Sequence, residues 1–174
     1  MRNRTVWHVV VSCAICVCLL GCHSRTSPKP VQSKTPASAS ATTSAPGTGP
    51  EKWQHHTQGL PFVVGYDKGL QTAQPQGKPA MMFVTTTWCG WCTRLASENF
   101  NDPEVKQLLG NFVCVIVDGD TEREAKTRLG ATQGYPHVVF VTCRGERLGE
   151  CLGYKPVSAF KPIVENALGR SRRA

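Results

Sequence analysis

Three short runs, almost wholly apolar, constrain this chain more than any other feature. They lie within residues 79–86 (Met81, Met82, Phe83, Val84), 111–118 (Phe112, Val113, Cys114, Val115, Ile116, Val117) and 138–142. Each is too short for a buried helix and is bounded by Gly, Pro, Asn or Asp, which reads as a strand with apolar neighbours on both faces. A sheet covered on both sides needs helices, and the segments between the runs supply them. Residues 66–74 read as a short helix ended by Pro75 and Gly77, after a minor strand in residues 60–65. A second helix is expected from Cys89 to Glu98. Asp102 and Pro103 open a third, since Asp caps free N–H groups and Pro suits the first helical position; it stops at Gly110. Thr121 and Glu124 fit a capping box for a helix ending at Gly130. Residues 138–142 and 147–152 form a hairpin around Arg144-Gly145. Ser158 is expected to cap a last helix whose Phe160, Ile163, Val164, Ala167 and Leu168 share one face. Pro162 is expected within its first turn or so, where it does least harm. Alternating strands and helices ending in a hairpin imply an α/β fold, a mixed central sheet flanked by helices on both faces.

The 174 residues leave room for one ordinary domain, expected over residues 51–169 with a basic tail at 170–174. What precedes it has another character. Arg2 and Arg4 give a positive start, and residues 6–20 are almost wholly apolar. That is short of the ~20 residues a helix needs to cross a bilayer and fits a cleaved export signal over residues 1–21. The run Leu19-Leu20-Gly21-Cys22 resembles a bacterial lipoprotein lipobox, although Leu20 stands where a smaller residue or Val is commoner. The resemblance implies cleavage before Cys22 and lipidation of its thiol. Each buried methylene adds ~0.8 kcal/mol, so two or more chains hold where one does not. The expected location is the cell envelope, lipid-anchored to a bacterial membrane, with the domain in the periplasm or otherwise outside the cytoplasm. Residues 22–50 follow as a Ser/Thr/Pro/Ala-rich linker with too little apolar surface to offset the entropy of ordering.

Of 20 basic and 12 acidic residues, Arg2 and Arg4 fall in the export segment, leaving a surplus of six. Lys52, Lys68, Lys78, Lys106, Lys155 and Lys161 are scattered rather than gathered on one face, unlike a nucleic-acid reader. The charge reads as solvation with a mild attraction to anionic headgroups, and no nucleic-acid partner is expected.

The chemistry sits at Trp88-Cys89-Gly90-Trp91-Cys92. Two thiols, two residues apart, follow a buried strand and open a helix. Unpaired N–H groups and the partial positive charge of that first turn favour a thiolate at Cys89. Cys92 lies one turn on, close enough to bond to it. A structural zinc would need four ligands, and no second pair at metal spacing accompanies this one in the domain. Copper is the stronger rival, with His55, His56 and His137 available and His137 best placed to approach the pair. A purely structural disulfide would leave the flanking tryptophans unexplained. No metal or other cofactor is called for.

Taken together, these residues resemble the thioredoxin superfamily over roughly residues 53–168, and most closely its periplasmic thioredoxin-like branch with Lys-Pro (Lys78-Pro79) before the strand and a Trp-Cys-Gly-x-Cys centre. The resemblance implies a thioredoxin-like fold and a protein-disulfide oxidoreductase. Cys89 would be the exposed nucleophile, Cys92 the resolving thiol and Trp88 its packing neighbour. Gly134-Tyr135-Pro136 would carry a cis Tyr135–Pro136 bond beside the Cys pair. Trp88, Gly90, Trp91, Tyr135 and Pro136 would meet the substrate. The implied partners are protein thiols or disulfides and a membrane redox partner. Two further possibilities stand beside this one, a copper-delivering lipoprotein and a non-catalytic binding module. One departure matters. Relatives often carry a buried acid six residues before the first Cys, where this chain has Phe83; water or another carboxylate, with Glu98 as a candidate, would then serve the resolving thiol. Cys114 reads as a small apolar filler. With a two-residue turn at Arg144-Gly145, Cys143 faces Glu146 and Cys151 faces Val138, about 17 Å apart along a strand at ~3.3 Å per residue, too far for a disulfide; a longer loop would bring them together.

Overall fold

A computed structural model describes residues 50–174. The export segment (1–21), Cys22 and nearly all of the 22–50 linker lie outside the described residues. The three apolar runs become Ala80–Thr85 (β2), Val113–Asp118 (β3) and His137–Val141 (β4), and every residue in them is buried. Two more strands, Phe62–Val64 (β1) and Arg147–Leu152 (β5), complete a sheet of order β1-β3-β2-β4-β5. β3 runs parallel to β1 and β2, whereas β4 is antiparallel to both β2 and β5. The sheet is therefore mixed, as expected.

Alternation along the buried strands sorts their side chains onto two faces. Met81, Phe83, Cys114, Ile116, Val138 and Phe140 join one core cluster, while Ala80, Met82, Val84, Val113, Val115, Val117, Val139 and Val141 join the other. The first face is covered by Gly90–Asn99 (α3), Pro103–Leu109 (α4) and Val157–Ser171 (α6), together with Trp53 from the 3₁₀ turn Pro50–Trp53 that leads into Gln54–Thr57 (α1). Ala73 of Tyr66–Gln76 (α2) and Leu129, which ends Arg123–Arg128 (α5), belong to the second. Asp102 caps α4 as the sequence predicts, its carboxylate accepting the N–H groups of Glu104 and Val105.

Several local expectations are corrected. α2 runs one residue past Pro75 and is closed by Gly77 in the left-handed region. The capping box at Thr121 does not form. Glu122 occupies the cap position of α5, and its carboxylate accepts the N–H groups of Tyr66 at 2.8 Å and Asp118 at 2.9 Å. Those long-range bonds tie the start of α2 to the end of β3 and set the local geometry in place of the box. Pro156, not Ser158, caps α6, because its carbonyl already accepts the Ala159 and Phe160 N–H groups. An N-cap needs no N–H of its own, so proline costs nothing there. Pro162 consequently falls in the second turn rather than the first. α6 continues to Ser171, so Arg170 belongs to the helix and faces its negative end.

The hairpin turn is also longer than expected. Thr142 N–H bonds to the Glu146 carbonyl, leaving Cys143, Arg144 and Gly145 as a three-residue loop, with Gly145 at φ 89°. A register shift follows between Phe140 and Val141, where Leu148 is the extra residue. The shift restores the pairing of Cys151 with Val138 and turns both Leu148 and Cys151 to the core. Cys143 and Cys151 both remain free thiols.

α2 lies so close to the sheet that a Cβ on Gly69 would meet Val115 Cγ1 at 2.6 Å. Gly69→Ala gains about 1 kcal/mol of helix propensity but overpacks a buried strand at about 1–3 kcal/mol. The variant is expected to be less stable, read as a lower urea midpoint with an unchanged slope; an increased midpoint would contradict the contact.

Candidate functional site

β2 delivers the chain to the end of the central strands and α3 begins five residues later. The turn between them is tied by Cys89 N–H to the Thr86 carbonyl at 3.1 Å. Cys89 is the N-cap of α3, and its sulfur accepts the Cys92 N–H at 3.2 Å. Cys89 and Cys92 are joined by a disulfide with their Cα atoms 5.3 Å apart. The opening turn of the helix therefore points the Cys92 N–H at Cys89 sulfur, a donor shared with the Cys89 carbonyl at 3.1 Å. A thiolate released there by reduction meets that donor and the positive end of the helix. Cys92 is fully buried and Cys89 is 6% exposed, so the nucleophile expected to be exposed is shielded in this oxidised form.

What lies open beside the pair is aromatic. Trp88 and Trp91 are 69% and 57% exposed. Trp88 donates its indole N–H to Asp120 at 3.0 Å and stands edge-on to Tyr135. Tyr135 in turn donates to the Gly119 carbonyl and accepts from Lys126. The Tyr135–Pro136 bond is cis, and the Pro136 carbonyl accepts the Gly153 N–H at 2.8 Å. Gly90 is the exposed first residue of α3. Trp91 packs against Tyr154, with the Arg94 guanidinium over both rings. Arg94, Tyr154 and Asp120 did not figure in the sequence reading. The Arg94/Glu98 spacing of four was a legible sign of a helix pair, but nothing local marked Tyr154 or Asp120.

The charged groups around this rim are already engaged. Glu98 accepts from Tyr154 and from Arg94, and these bonds, Tyr154's foremost, hold its carboxyl below the usual range. It faces the surface and not the buried thiol. Asp118 is opposed by burial but accepts from Lys52 at 2.8 Å and from Asp120 N–H, with a net shift downward. Phe83 is fully buried, edge-on to Phe100 and 6.2 Å from the His56 ring. His137 bonds through Nε2 to Glu150 at 2.8 Å and His55 is exposed. Among the described residues, no group of three potential metal ligands is assembled.

A family model described as thioredoxin-like matches residues 49–143. Similar curated proteins include spermatogenesis-associated protein 20 of Mus musculus, 29% identical over 51% of this chain and 12% of that protein. Another is thiol:disulfide interchange protein DsbD of Cronobacter sakazakii, 28% identical over 61% of the chain and 19% of that protein. The chain thus spans less than a fifth of the length of either. Disulfide bond reductase DsbH of Chlamydia pneumoniae is 26% identical over 59% of the chain and 70% of that protein. Among solved structures, a thioredoxin from Thermus thermophilus superposes with a TM-score of 0.57 at 24% identity, covering 64% of this chain and 89% of that one. A structure titled DsbH oxidoreductase gives 0.54 at 24%, covering 63% and 85%. These superpositions show the fold.

Burial sets two of the free thiols, Cys114 and Cys151, apart from the pair. It pushes Cys114 up to about 12 and Cys151 up to about 11, the latter opposed by Lys155. At about pH 8 only some one in ten thousand Cys114 side chains is then a thiolate, the reactive form. In the reduced protein, iodoacetamide is expected to label Cys89 while Cys114 and Cys151 stay unmodified until unfolding. Peptide mapping reads the outcome, and early labelling of Cys114 would contradict its burial.

Proposed function

The chain belongs to the thioredoxin-like family, and from that premise we propose that it is a thiol–disulfide oxidoreductase exchanging disulfides with exported proteins through Cys89 and Cys92. The observation that carries this is the Cys92 N–H aimed at the Cys89 sulfur from the opening turn of α3. In the reduced enzyme the Cys89 thiolate attacks one sulfur of a substrate disulfide. A Cys89–substrate disulfide forms and the other substrate sulfur leaves as a thiolate. Cys92 then attacks Cys89, closing their bond and releasing the second substrate thiol. Two electrons pass from the Cys pair to the substrate, and the same atoms run the exchange in reverse.

Trp88, Gly90, Trp91, Tyr135 and Pro136 form the substrate-contacting rim in this reading. Support comes from the exposure of both tryptophans and from Tyr135, whose N–H and C=O make no backbone hydrogen bond among the described residues. An extended peptide can pair with such groups. The envelope location rests on the apolar segment before Leu19-Leu20-Gly21-Cys22, with Cys22 as the lipidated residue. Lipid on Cys22 would hold the domain at a membrane beside a redox partner that restores the Cys pair. Among the described residues no helix is long and apolar enough to cross a membrane. The names of the similar DsbD and DsbH proteins agree with disulfide chemistry.

Cys92→Ser is expected to trap mixed disulfides with envelope proteins, seen as adducts lost on reduction, while Cys89→Ser traps none. Wild type is expected to reduce insulin disulfides with dithiothreitol as electron donor. No adducts in Cys92→Ser together with no turnover in wild type would remove the oxidoreductase reading.

A further inference from the structure

The core behind the Cys pair holds polar atoms that nothing pairs. His56 of α1 is 2% exposed, and neither ring nitrogen has a hydrogen-bond partner. The Trp53 indole nitrogen and the Thr86 hydroxyl are buried and unpaired as well. His56 stands edge-on to Trp53 at 5.4 Å between ring centroids. An unpaired buried polar group is destabilising, a cost an apolar side chain here would avoid. Position suggests what the histidine is for. α1 packs against α3, which carries Cys92. The Thr86 carbonyl lies beside the imidazole and also accepts the Cys89 N–H. The ring therefore borders the turn that holds the disulfide, next to Phe83, where no acid is present.

We propose that His56 accepts the proton that Cys92 must lose to resolve the mixed disulfide. The proposal deepens the oxidoreductase reading and rests on it. In the Cys89–substrate adduct, the Cys92 thiol gives its proton to the neutral imidazole. The freed electron pair on sulfur forms the bond to Cys89 Sγ as the Cys89–substrate bond breaks. The substrate sulfur leaves with that bond's electron pair and takes the proton from the imidazolium. The Cys pair is oxidised by two electrons, the substrate is reduced by two, and His56 returns to its starting form.

The other candidates for this task are occupied. Glu98 is bound by Tyr154 and Arg94, and Asp118 by Lys52. His55 on its own helix is the titratable group that acts on His56; the neighbouring elements carry the Lys52–Asp118 pair, in the preceding turn and at the end of β3, and the cysteines of α3, the helix α1 packs against. β2 contributes Phe83 and Thr85, and Thr86 follows it. Burial, with His55 adding to it and the Thr86 carbonyl opposing, lowers His56 from its ordinary value and favours the neutral ring. A neutral imidazole can take a proton; a carboxylate held in an ion pair is a poorer acceptor.

The test follows the Cys89 adduct in the full chain. The reduced protein is mixed with oxidised glutathione, quenched in acid at intervals, and the glutathionylated Cys89 peptide is quantified by mass spectrometry. His56→Gln is expected to lengthen the adduct's lifetime about a hundredfold near pH 7. The difference should close in alkali, where Cys92 ionises unaided, while adduct formation and Tm stay as in wild type. Equal lifetimes in both proteins between about pH 6 and 8 would overturn the proposal. So would slowing of formation and resolution together with no change in pH dependence, since that marks a packing role. If His56→Gln does not fold, the wild type decides. Its resolution rate must fall, as pH is lowered, at the same pH at which NMR shows His56 taking up a proton, and a mismatch overturns the assignment. No Cys89 adduct under any condition would remove the oxidoreductase reading itself, whereas an adduct resolved normally without His56 leaves that reading standing.

Discussion

β2 is paired along its whole length with β3 on one side and over Ala80–Val84 with β4 on the other, and all six of its residues are buried. That position in the middle of the sheet decides where the chemistry can be. The strand cannot shift without breaking two ladders, so the turn after Thr85 and the first N–H groups of α3 are held against a rigid support. The sulfur of Cys89 meets the Cys92 N–H because strand and helix are both anchored by apolar packing, through Met81 and Phe83 below and Leu95, Ala96 and Phe100 above. A loop of the same sequence on a mobile support would not keep a helix terminus aimed at one atom.

Around that fixed point, access is controlled by large side chains that are tied down although they lie on the surface. Asp120 and Tyr135 hold Trp88, and Arg94 and Tyr154 hold Trp91. Exposed aromatic rings that have already lost their freedom offer contact area at little further entropic cost. Both sulfurs are nearly closed off in the oxidised form. The Lys52–Asp118 pair and the two bonds to Glu122 brace the same end of the sheet from behind.

Much of this was legible in the residues. Continuous apolar runs gave away the three central strands because burial on both faces leaves no position for a polar residue. Asp102-Pro103 marked a helix start because capping is a local event. The Cys pair was legible for the same reason, since four residues at a helix opening contain the whole device. Where the reading failed, another group had taken the bond or the position. Glu122 was drawn off by Tyr66 and Asp118, and Pro156 took the cap expected of Ser158. A register shift at Leu148 undid the offset of a longer turn, which no local pattern announces.

The amino-acid sequence alone determined the strand set, the mixed α/β class and the placement of two thiols at the opening of a helix, because each depends on neighbours within a few residues. Only the tertiary structure decided which polar groups surround those thiols. His56 lies 36 positions before Cys92 in the chain, and in a sequence it is one of two adjacent histidines with nothing to separate them. Folding buries His56 against Trp53 and Phe83 and leaves His55 in solvent. Burial and pairing are properties of packed neighbours, and the chain order does not carry them.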